Sequence, residues 1–130
     1  MMDAAAMTAA EAVSAQARAY CEAVHQANPE AFDHMCHPSF MMTAVAGSGH
    51  PVFWDKEAYM RRVAGRDPQI GPASFEILQV DAAADTAHVK LWVDVPPQRF
   101  EDYLGFFLIE GEWKLITKLF RTIDGPALEG

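Results

Sequence analysis

Apolar residues recur every three or four positions in the first part of the chain, between Thr8 and Ala27. This spacing places them on one face of a long amphipathic helix; the residues are Val13, Ala17, Tyr20 and Val24. Thr8 is followed three residues later by Glu11, which is the pattern of a capping box, so the helix is predicted to begin at Thr8. Asn28 and Pro29 end it, because proline cannot continue a helix.

Short elements follow, separated by glycine and proline. The pattern predicts a second short helix over Glu30–Met35, a strand over Ser39–Val45, a flexible turn over residues 46–49 and an extended segment over Pro51–Trp54. Asp55 is a good N-cap, so a third helix is expected from Lys56 to about Ala64. Residues 65–72 are expected to form a loop.

The last half of the chain is rich in β-branched and aromatic residues, and much of it alternates with a period of two. It predicts strands over Ser74–Ala82 and Thr86–Val95, and then a hairpin over Phe100–Phe120. Glu110-Gly111-Glu112 separates the two strands of the hairpin. Because the helices come mostly first and the strands last, the chain is predicted to be an α+β fold with an antiparallel sheet rather than a βαβ succession.

Both faces of the hairpin carry large apolar residues, so both need cover. We assign to the inner face, under the helices, Tyr103, Gly105, Phe107 and Ile109 together with Trp113, Leu115, Thr117 and Leu119. The opposite face would bear Lys90, Trp92, Leu104, Phe106, Leu108 and Ile116. An exposed apolar patch of that extent would make a monomer prone to aggregation, so we expect a homodimer formed through this outer sheet face.

Composition and charge narrow the class of protein. A chain of 130 residues is long enough for one domain, here residues 1–130, with residues 1–7 and 126–130 expected to be flexible. The formal net charge of −8 argues against nucleic acid as a partner, because phosphate binding needs a basic surface. No run of about 18 apolar residues exists and the start has no signal-peptide pattern, so we expect a cytoplasmic protein that does not span a membrane.

Several of these segments resemble the nuclear transport factor 2-like superfamily, and within it the family called “putative lumazine-binding”, which is grouped near the polyketide-cyclase-like proteins. The resemblance covers essentially the whole chain. It is carried by Ala17 and Tyr20, His37-Pro38, Asp55–Val63, Asp102-Tyr103-Leu104 and the final segment Gly111–Phe120. It implies a cone in which a strongly curved antiparallel sheet wraps around three helices, a pocket between sheet and helices, and usually a dimer. The fold hosts isomerases, dehydratases, cyclases and pure binders, so the chemistry stays open.

An aromatic set is the main candidate for a binding site. Tyr20, Tyr59, Tyr103 and Phe107, with Thr117, would line the cavity between helices and sheet, and Trp54 would lie near its mouth. Rings bind flat heterocycles by stacking, and hydroxyl groups supply polar anchors without a fixed charge, which suits a neutral ligand. The alternatives are that the rings fill the cone as core, and that Trp54 only packs at the start of the third helix.

Acid–base chemistry is harder to place from the pattern. By alternation His88 and Asp94 point away from the pocket, and Asp102, of opposite parity to Tyr103, points away as well. Lys118 shares the parity of Ile116 and Phe120 and is expected at the dimer face or a rim. No acid–base pair therefore falls in the predicted pocket, and the catalytic residues stay unknown.

Cysteine and histidine residues cluster in the first third of the chain: Cys21, His25, His34, Cys36 and His37. Their spacing matches no standard zinc motif, so we expect no metal, no other cofactor and two free thiols. The sequence favours a homodimeric domain that binds a small apolar or aromatic molecule. A cofactor-independent isomerase, dehydratase or cyclase, and a structural or interaction domain with a filled cone, are the alternatives.

Overall fold

The computed structural model describes residues 8–129, which form three helices and six strands. The helices are α1 (Ala9–Gln26), α2 (Pro29–Met35) and α3 (Lys56–Ala64). The strands are β1 (Cys36–Val45), β2 (Pro51–Asp55), β3 (Phe75–Ala83), β4 (Thr86–Val95), β5 (Gln98–Ile109) and β6 (Glu112–Asp124). The predicted α+β fold is confirmed, with three helices and a curved, unclosed sheet.

The six strands form one sheet in the order β2-β1-β6-β5-β4-β3. Neighbouring strands are antiparallel except for β1 and β6, which pair in parallel. The sheet is therefore mixed at one pair rather than fully antiparallel as predicted. This pairing places the first strand beside the last strand, so segments distant in the sequence are neighbours in the sheet.

Local signals fix the helix ends where the sequence predicts them. The Thr8 side chain accepts a hydrogen bond from the Glu11 amide, and the Glu11 carboxylate accepts one from the Thr8 amide, both at 3.1 Å. This is the predicted capping box. Asp55 caps α3 by accepting a hydrogen bond from the Ala58 amide at 2.9 Å.

A β-bulge in β6 decides which side chains face the helices. In the pairing of β5 with β6, Phe106 lies opposite Leu115 and Gly105 lies opposite Thr117, so Ile116 is an extra residue on β6. An extra residue reverses the alternation along the strand. Before the bulge the buried residues are Trp113 and Leu115, and after it they are Lys118 and Phe120.

On β5 the inner face is the opposite of the one predicted, whereas Trp113 and Leu115 at the start of β6 are buried as predicted. Leu104 and Phe106 are buried in the same core cluster as α1, whereas Tyr103 and Phe107 are only half-buried on the outer face. Thr117 is exposed on that outer face as well. The prediction was wrong because β5 carries large apolar residues on both parities, so alternation alone could not select the inner set.

Of the terminal segments that were expected to be flexible, only residues 126–129 are described by the structure. Residues 1–7 and Gly130 lie outside the described residues. In the segment 126–129, Leu128 is buried, and its carbonyl accepts a hydrogen bond from the Gly47 amide at 2.8 Å. That part of the chain packs on the β1–β2 turn, and its flexibility stays a prediction.

Matched leucine truncations test the corrected faces. Leu104 is fully buried and Leu119 is 53% exposed, so Leu104→Ala should lower the free energy of unfolding by about 2–5 kcal/mol. Leu119→Ala should change it by about 0.5 kcal/mol or less. Urea denaturation at low protein concentration measures both. A larger loss for Leu119→Ala would restore the face assignment made from the sequence.

Candidate functional site

A carboxylate lies inside the protein between the sheet and the helices. Asp102 of β5 is fully buried, and its Oδ2 accepts a hydrogen bond from the Tyr20 hydroxyl of α1 at 2.5 Å. Its other oxygen, Oδ1, accepts no hydrogen bond from any residue that the structure describes. A buried acceptor left without a donor costs about 1–3 kcal/mol, so this atom is a candidate for contact with something outside the fold.

The charge that balances Asp102 comes from the next strand. Lys118 of β6 is turned inward by the bulge, and its Nζ lies 3.9 Å from Asp102 Oδ2. The same ammonium donates a hydrogen bond to the Tyr59 hydroxyl at 3.3 Å. It also lies 4.7–5.2 Å from the ring centroids of Tyr59, Phe120 and Tyr20, a range in which cation–π attraction operates.

Burial dominates the electrostatics of this cluster. Burial raises the pKa of Asp102 above its ordinary value, although the Lys118 ammonium and the Tyr20 hydroxyl both act to lower it. Burial and the neighbouring carboxylate raise the pKa of Tyr20 well above its usual range. Tyr20 therefore keeps its proton and donates a hydrogen bond to Asp102.

Two adjacent cavities lead from this cluster toward the surface. Asp102, Lys118, Tyr20 and Phe120 line an inner chamber of about 10 Å³, which is room for about one water molecule. A vestibule of about 280 Å³ lies beside it and is lined by Asp67, Gln69, Asp94, Pro96 and Gln98 along with residues of the chamber. The lining shared by the two consists of Val24, Arg62, Arg66 and Val95. The long arginine side chains are therefore part of the partition between chamber and vestibule.

The predicted aromatic set is divided between the two faces of the sheet. Tyr20 lines the chamber and Tyr59 is buried beside it, stacked with Phe40 and edge-on to Phe32. Trp54 lies 5.2 Å from the Arg62 guanidinium, next to the partition.

The other three members lie outside the interior, so their predicted place in a common pocket is wrong. Tyr103 stacks on His88 on the outer face, and Phe107 packs edge-on against His37. Thr117, with Tyr103, lines a shallow outer depression of about 420 Å³.

Sequence reasoning missed the charged members of the site. Asp102 and Lys118 were both assigned outward, and the interior was expected to hold no fixed charge. A signal was present: the two residues carry opposite charges, and the strands that carry them are hairpin neighbours. By contrast, His88 does lie on the outer face as predicted, stacked on Tyr103. Asp94, which pairs with Arg99 at 2.7 Å, does not point away from the site, because it is one of the residues that line the vestibule.

The sulfur and imidazole residues give no metal centre in the part of the chain that the structure describes. Within residues 8–129, no three His, Cys, Asp or Glu side chains are grouped so that they could hold a metal ion. Cys21 and Cys36 are buried free thiols. Burial raises the pKa of the Cys36 thiol to about 12, so it is an unreactive core group at neutral pH.

The family can be stated from the sequence comparison. The family described as “Putative lumazine-binding” matches residues 8–121. The chain belongs to this family. No curated protein matches the sequence. None of the helices in residues 8–129 combines the length and apolar character needed to cross a membrane.

Solved structures of similar fold agree with the family. A nuclear transport factor 2-like protein of unknown function from Silicibacter pomeroyi is 21% identical, with a TM-score of 0.81, over 89% of this chain and 99% of that one. A similar protein from Shewanella baltica is 16% identical, with a TM-score of 0.81, over 88% and 94% of the two chains. A ketosteroid isomerase-like protein from Erwinia carotovora atroseptica is 15% identical, with a TM-score of 0.69, over 89% and 97%. At these identities the likeness shows the nuclear transport factor 2-like fold.

The raised pKa of Asp102 predicts how stability depends on pH. The folded protein binds this proton more tightly than the unfolded chain, so the carboxyl favours folding most below about pH 4. That contribution is lost as the pH rises from about 4 through the raised pKa. The wild type should therefore lose stability relative to Asp102→Asn as the pH rises. Urea denaturation at pH 4 to 8 measures this, as an increase in the free energy of unfolding of the variant minus that of the wild type.

Asp94→Asn is the matched control, because the hydrogen bond from Arg99 lowers the pKa of Asp94. Its stabilising contribution is present above about pH 4 and is lost only at lower pH. The difference in free energy of unfolding between Asp94→Asn and the wild type should thus stay constant from pH 4 to 8. A flat or falling difference for Asp102→Asn would contradict the assigned environment of Asp102.

Proposed function

We propose that this protein binds a small molecule in the vestibule, with a hydrogen-bond donor of the ligand reaching Asp102 Oδ1. The single observation that carries the proposal is this buried acceptor, which no described residue satisfies and which belongs to a residue lining a cavity. A ligand N–H or O–H group would remove the cost of leaving it unpaired. Within residues 8–129, one other buried side-chain oxygen or nitrogen atom lacks a hydrogen-bond partner, namely Thr122 Oγ1.

The walls of the vestibule suit a small, flat ligand. Val24, Val95 and Pro96 supply apolar surface, and polar side chains lie around them. A volume of about 280 Å³ is at or below the lower end of the usual range for ligand pockets, roughly 300–1,000 Å³. The proposed ligand is therefore a compact ring system with donor groups, not an extended chain.

The family description supports the same kind of ligand. Lumazine is a flat bicyclic heterocycle with ring N–H groups, and a carboxylate oxygen is a suitable partner for such donors. Because the chamber beside Asp102 holds only about one water molecule, a ligand of this size would occupy the vestibule. Arg62 and Arg66 would have to move aside for its donor to reach Asp102.

Acid–base catalysis is the second candidate function, and the same residue favours it. A carboxyl whose pKa is raised by burial works closer to neutral pH as a general base. One solved structure of this fold is named a ketosteroid isomerase-like protein, and that name supports acid–base chemistry as a candidate here. Conversion of a bound molecule, lost on replacing Asp102, would distinguish catalysis from binding alone.

A lumazine titration tests the binding proposal with a defined probe. Asp102→Asn removes the charge that accepts the ligand N–H, so we expect the affinity to fall about tenfold or more. Isothermal calorimetry measures the affinity, and 1,3-dimethyllumazine, which lacks both ring N–H groups, should bind as weakly to wild type as lumazine binds to the variant. Proton NMR of the same samples reports any conversion of the probe.

Tyr103→Phe is the matched control, because Tyr103 lies on the outer face of the sheet. It should leave the lumazine affinity within about twofold of wild type. If neither lumazine nor any member of a fragment library binds with an affinity that depends on Asp102, the proposed function is wrong.

We further propose that the protein is a homodimer through its outer sheet face. An outer patch of exposed apolar side chains supports this arrangement: Met41 (44% exposed), Val45 (68%), Phe53 (66%) and Leu119 (53%). Phe53 and Leu119 both lie directly opposite Thr43 in the strand register, so they share one face across three adjacent strands. The dimer would use this patch and not Leu104 and Phe106, which are core residues.

A charge placed in the outer patch should separate the subunits. Leu119→Asp should shift the protein from dimer to monomer at micromolar concentration, because the carboxylate would be buried at the contact without a partner. Sedimentation velocity measures the change. Ile70→Asp is the control, since Ile70 is 97% exposed in the loop before β3, and it should stay dimeric. A monomeric wild type, or equal behaviour of the two variants, would contradict the dimer.

A further inference from the structure

Two arginines beside the vestibule lack the acidic partners that most basic residues of this chain have. All ten Lys and Arg residues fall within residues 8–129, and six of them lie within 4.0 Å of a carboxylate oxygen: Lys56, Arg61, Arg99, Lys114, Lys118 and Arg121. Among the described residues, the other four have no such partner. They are Arg18, Arg62, Arg66 and Lys90.

Of these four, only Arg62 and Arg66 line a cavity that leads inward. Arg18 is exposed on α1, and Lys90 lies over the Tyr103 ring on the outer face. In a chain with eighteen acidic residues and ten basic ones, acidic partners are plentiful. Arg62 lies over the Trp54 ring, but neither it nor Arg66 has a carboxylate partner among the described residues. These two guanidinium groups at the vestibule are therefore placed for a ligand rather than for a structural ion pair.

The surroundings of the pair strengthen this interpretation. Both side chains are half-buried, and burial together with the neighbouring Arg66 charge lowers the pKa of Arg62. Of the two acidic residues that line the vestibule, Asp94 is neutralised by two hydrogen bonds from Arg99, at 2.7 and 3.1 Å. Asp67 is exposed. A bound anion would relieve the repulsion between the two guanidinium groups.

We infer that the ligand of the vestibule is a small organic oxyanion, held by Arg62 and Arg66 and carrying an N–H or O–H donor directed toward Asp102. This inference rests on the proposed ligand-binding function and adds the charge of the ligand to it. Guanidinium groups bind carboxylate and phosphate through paired hydrogen bonds, which lysine cannot reproduce. The apolar residues Val24, Val95 and Pro96 would contact the uncharged ring between its two polar ends. The proposed ligand is therefore anionic, whereas the sequence led us to expect a neutral one.

Three related probes test separately the contact of the anion with the two arginines and the contact of the donor with Asp102. 4-Hydroxybenzoate carries both the anion and the donor, 4-hydroxybenzamide lacks the anion, and benzoate lacks the hydroxyl donor. Each is titrated into the full-length protein, and NMR signals of the arginine Nε–Hε groups report contact at Arg62 and Arg66. We expect 4-hydroxybenzoate to bind at least about tenfold more tightly than 4-hydroxybenzamide.

Single arginine variants identify the groups responsible. Arg62→Gln and Arg66→Gln should each remove most of the preference for the acid over the amide. Arg61→Gln is the matched control, because Arg61 precedes Arg62 on α3 but is exposed and paired with Glu57 at 2.7 Å. It should leave the preference unchanged.

The outcomes distinguish this inference from the function on which it rests. If the acid and the amide bind equally while Asp102→Asn still weakens both, the oxyanion inference is wrong and the binding function stands. If the acid preference depends on Arg62 and Arg66 but benzoate binds as well as 4-hydroxybenzoate, the anion site stands and the contact with Asp102 is wrong. No saturable shift with 4-hydroxybenzoate below about 10 mM, or an equal loss of preference in Arg61→Gln, overturns the oxyanion inference.

Discussion

The burial of the Asp102 carboxylate constrains the arrangement of the whole interior. Burying an ionised carboxylate between a sheet and helices costs roughly several kcal/mol of free energy unless an opposite charge and hydrogen bonds surround it. Here Lys118 supplies the charge from β6 and Tyr20 supplies the hydrogen bond from α1. Lys118 can face inward only because the bulge at Ile116 reverses the alternation of β6. The first helix and the two hairpin strands are thus held in register by a single polar cluster.

The same cluster divides the interior of the cone into two parts. On one side, the rings of Tyr59, Phe32 and Phe40 are buried and pack against each other, so these aromatics serve as core. On the other side, toward the end of α3, the chamber and the vestibule remain. The filled-cone alternative therefore describes the aromatic part of the interior. The proposed binding site is confined to the end where the polar cluster meets Arg62 and Arg66.

Much of the fold could be predicted from the sequence because its signals are local. The capping box at Thr8, the N-cap at Asp55 and the alternation over Thr86–Val95 each depend on a few neighbouring residues, and the elements lie where these signals place them. The site could not be predicted in the same way, because it depends on a register shift and on contacts between distant segments. The alternation of β6 gives no sign of the bulge at Ile116, and the pairing of Tyr20 with Asp102 joins residues 82 positions apart. Asp102 was then assigned to the wrong face because its parity is opposite to that of Tyr103, which had been placed inward.

The most direct test of this account is the ionisation of Asp102 in the folded protein. With ¹³C-labelled aspartate, the Asp102 carboxyl carbon can be followed by NMR from pH 3 to 8 and assigned by its absence in Asp102→Asn. The account predicts that this signal titrates above the ordinary value of about 3.9 and is the most upshifted among the aspartates of residues 8–129. A midpoint at or below the ordinary value would show that Asp102 is solvated or paired in another way, and would contradict the buried polar cluster on which the proposed site depends.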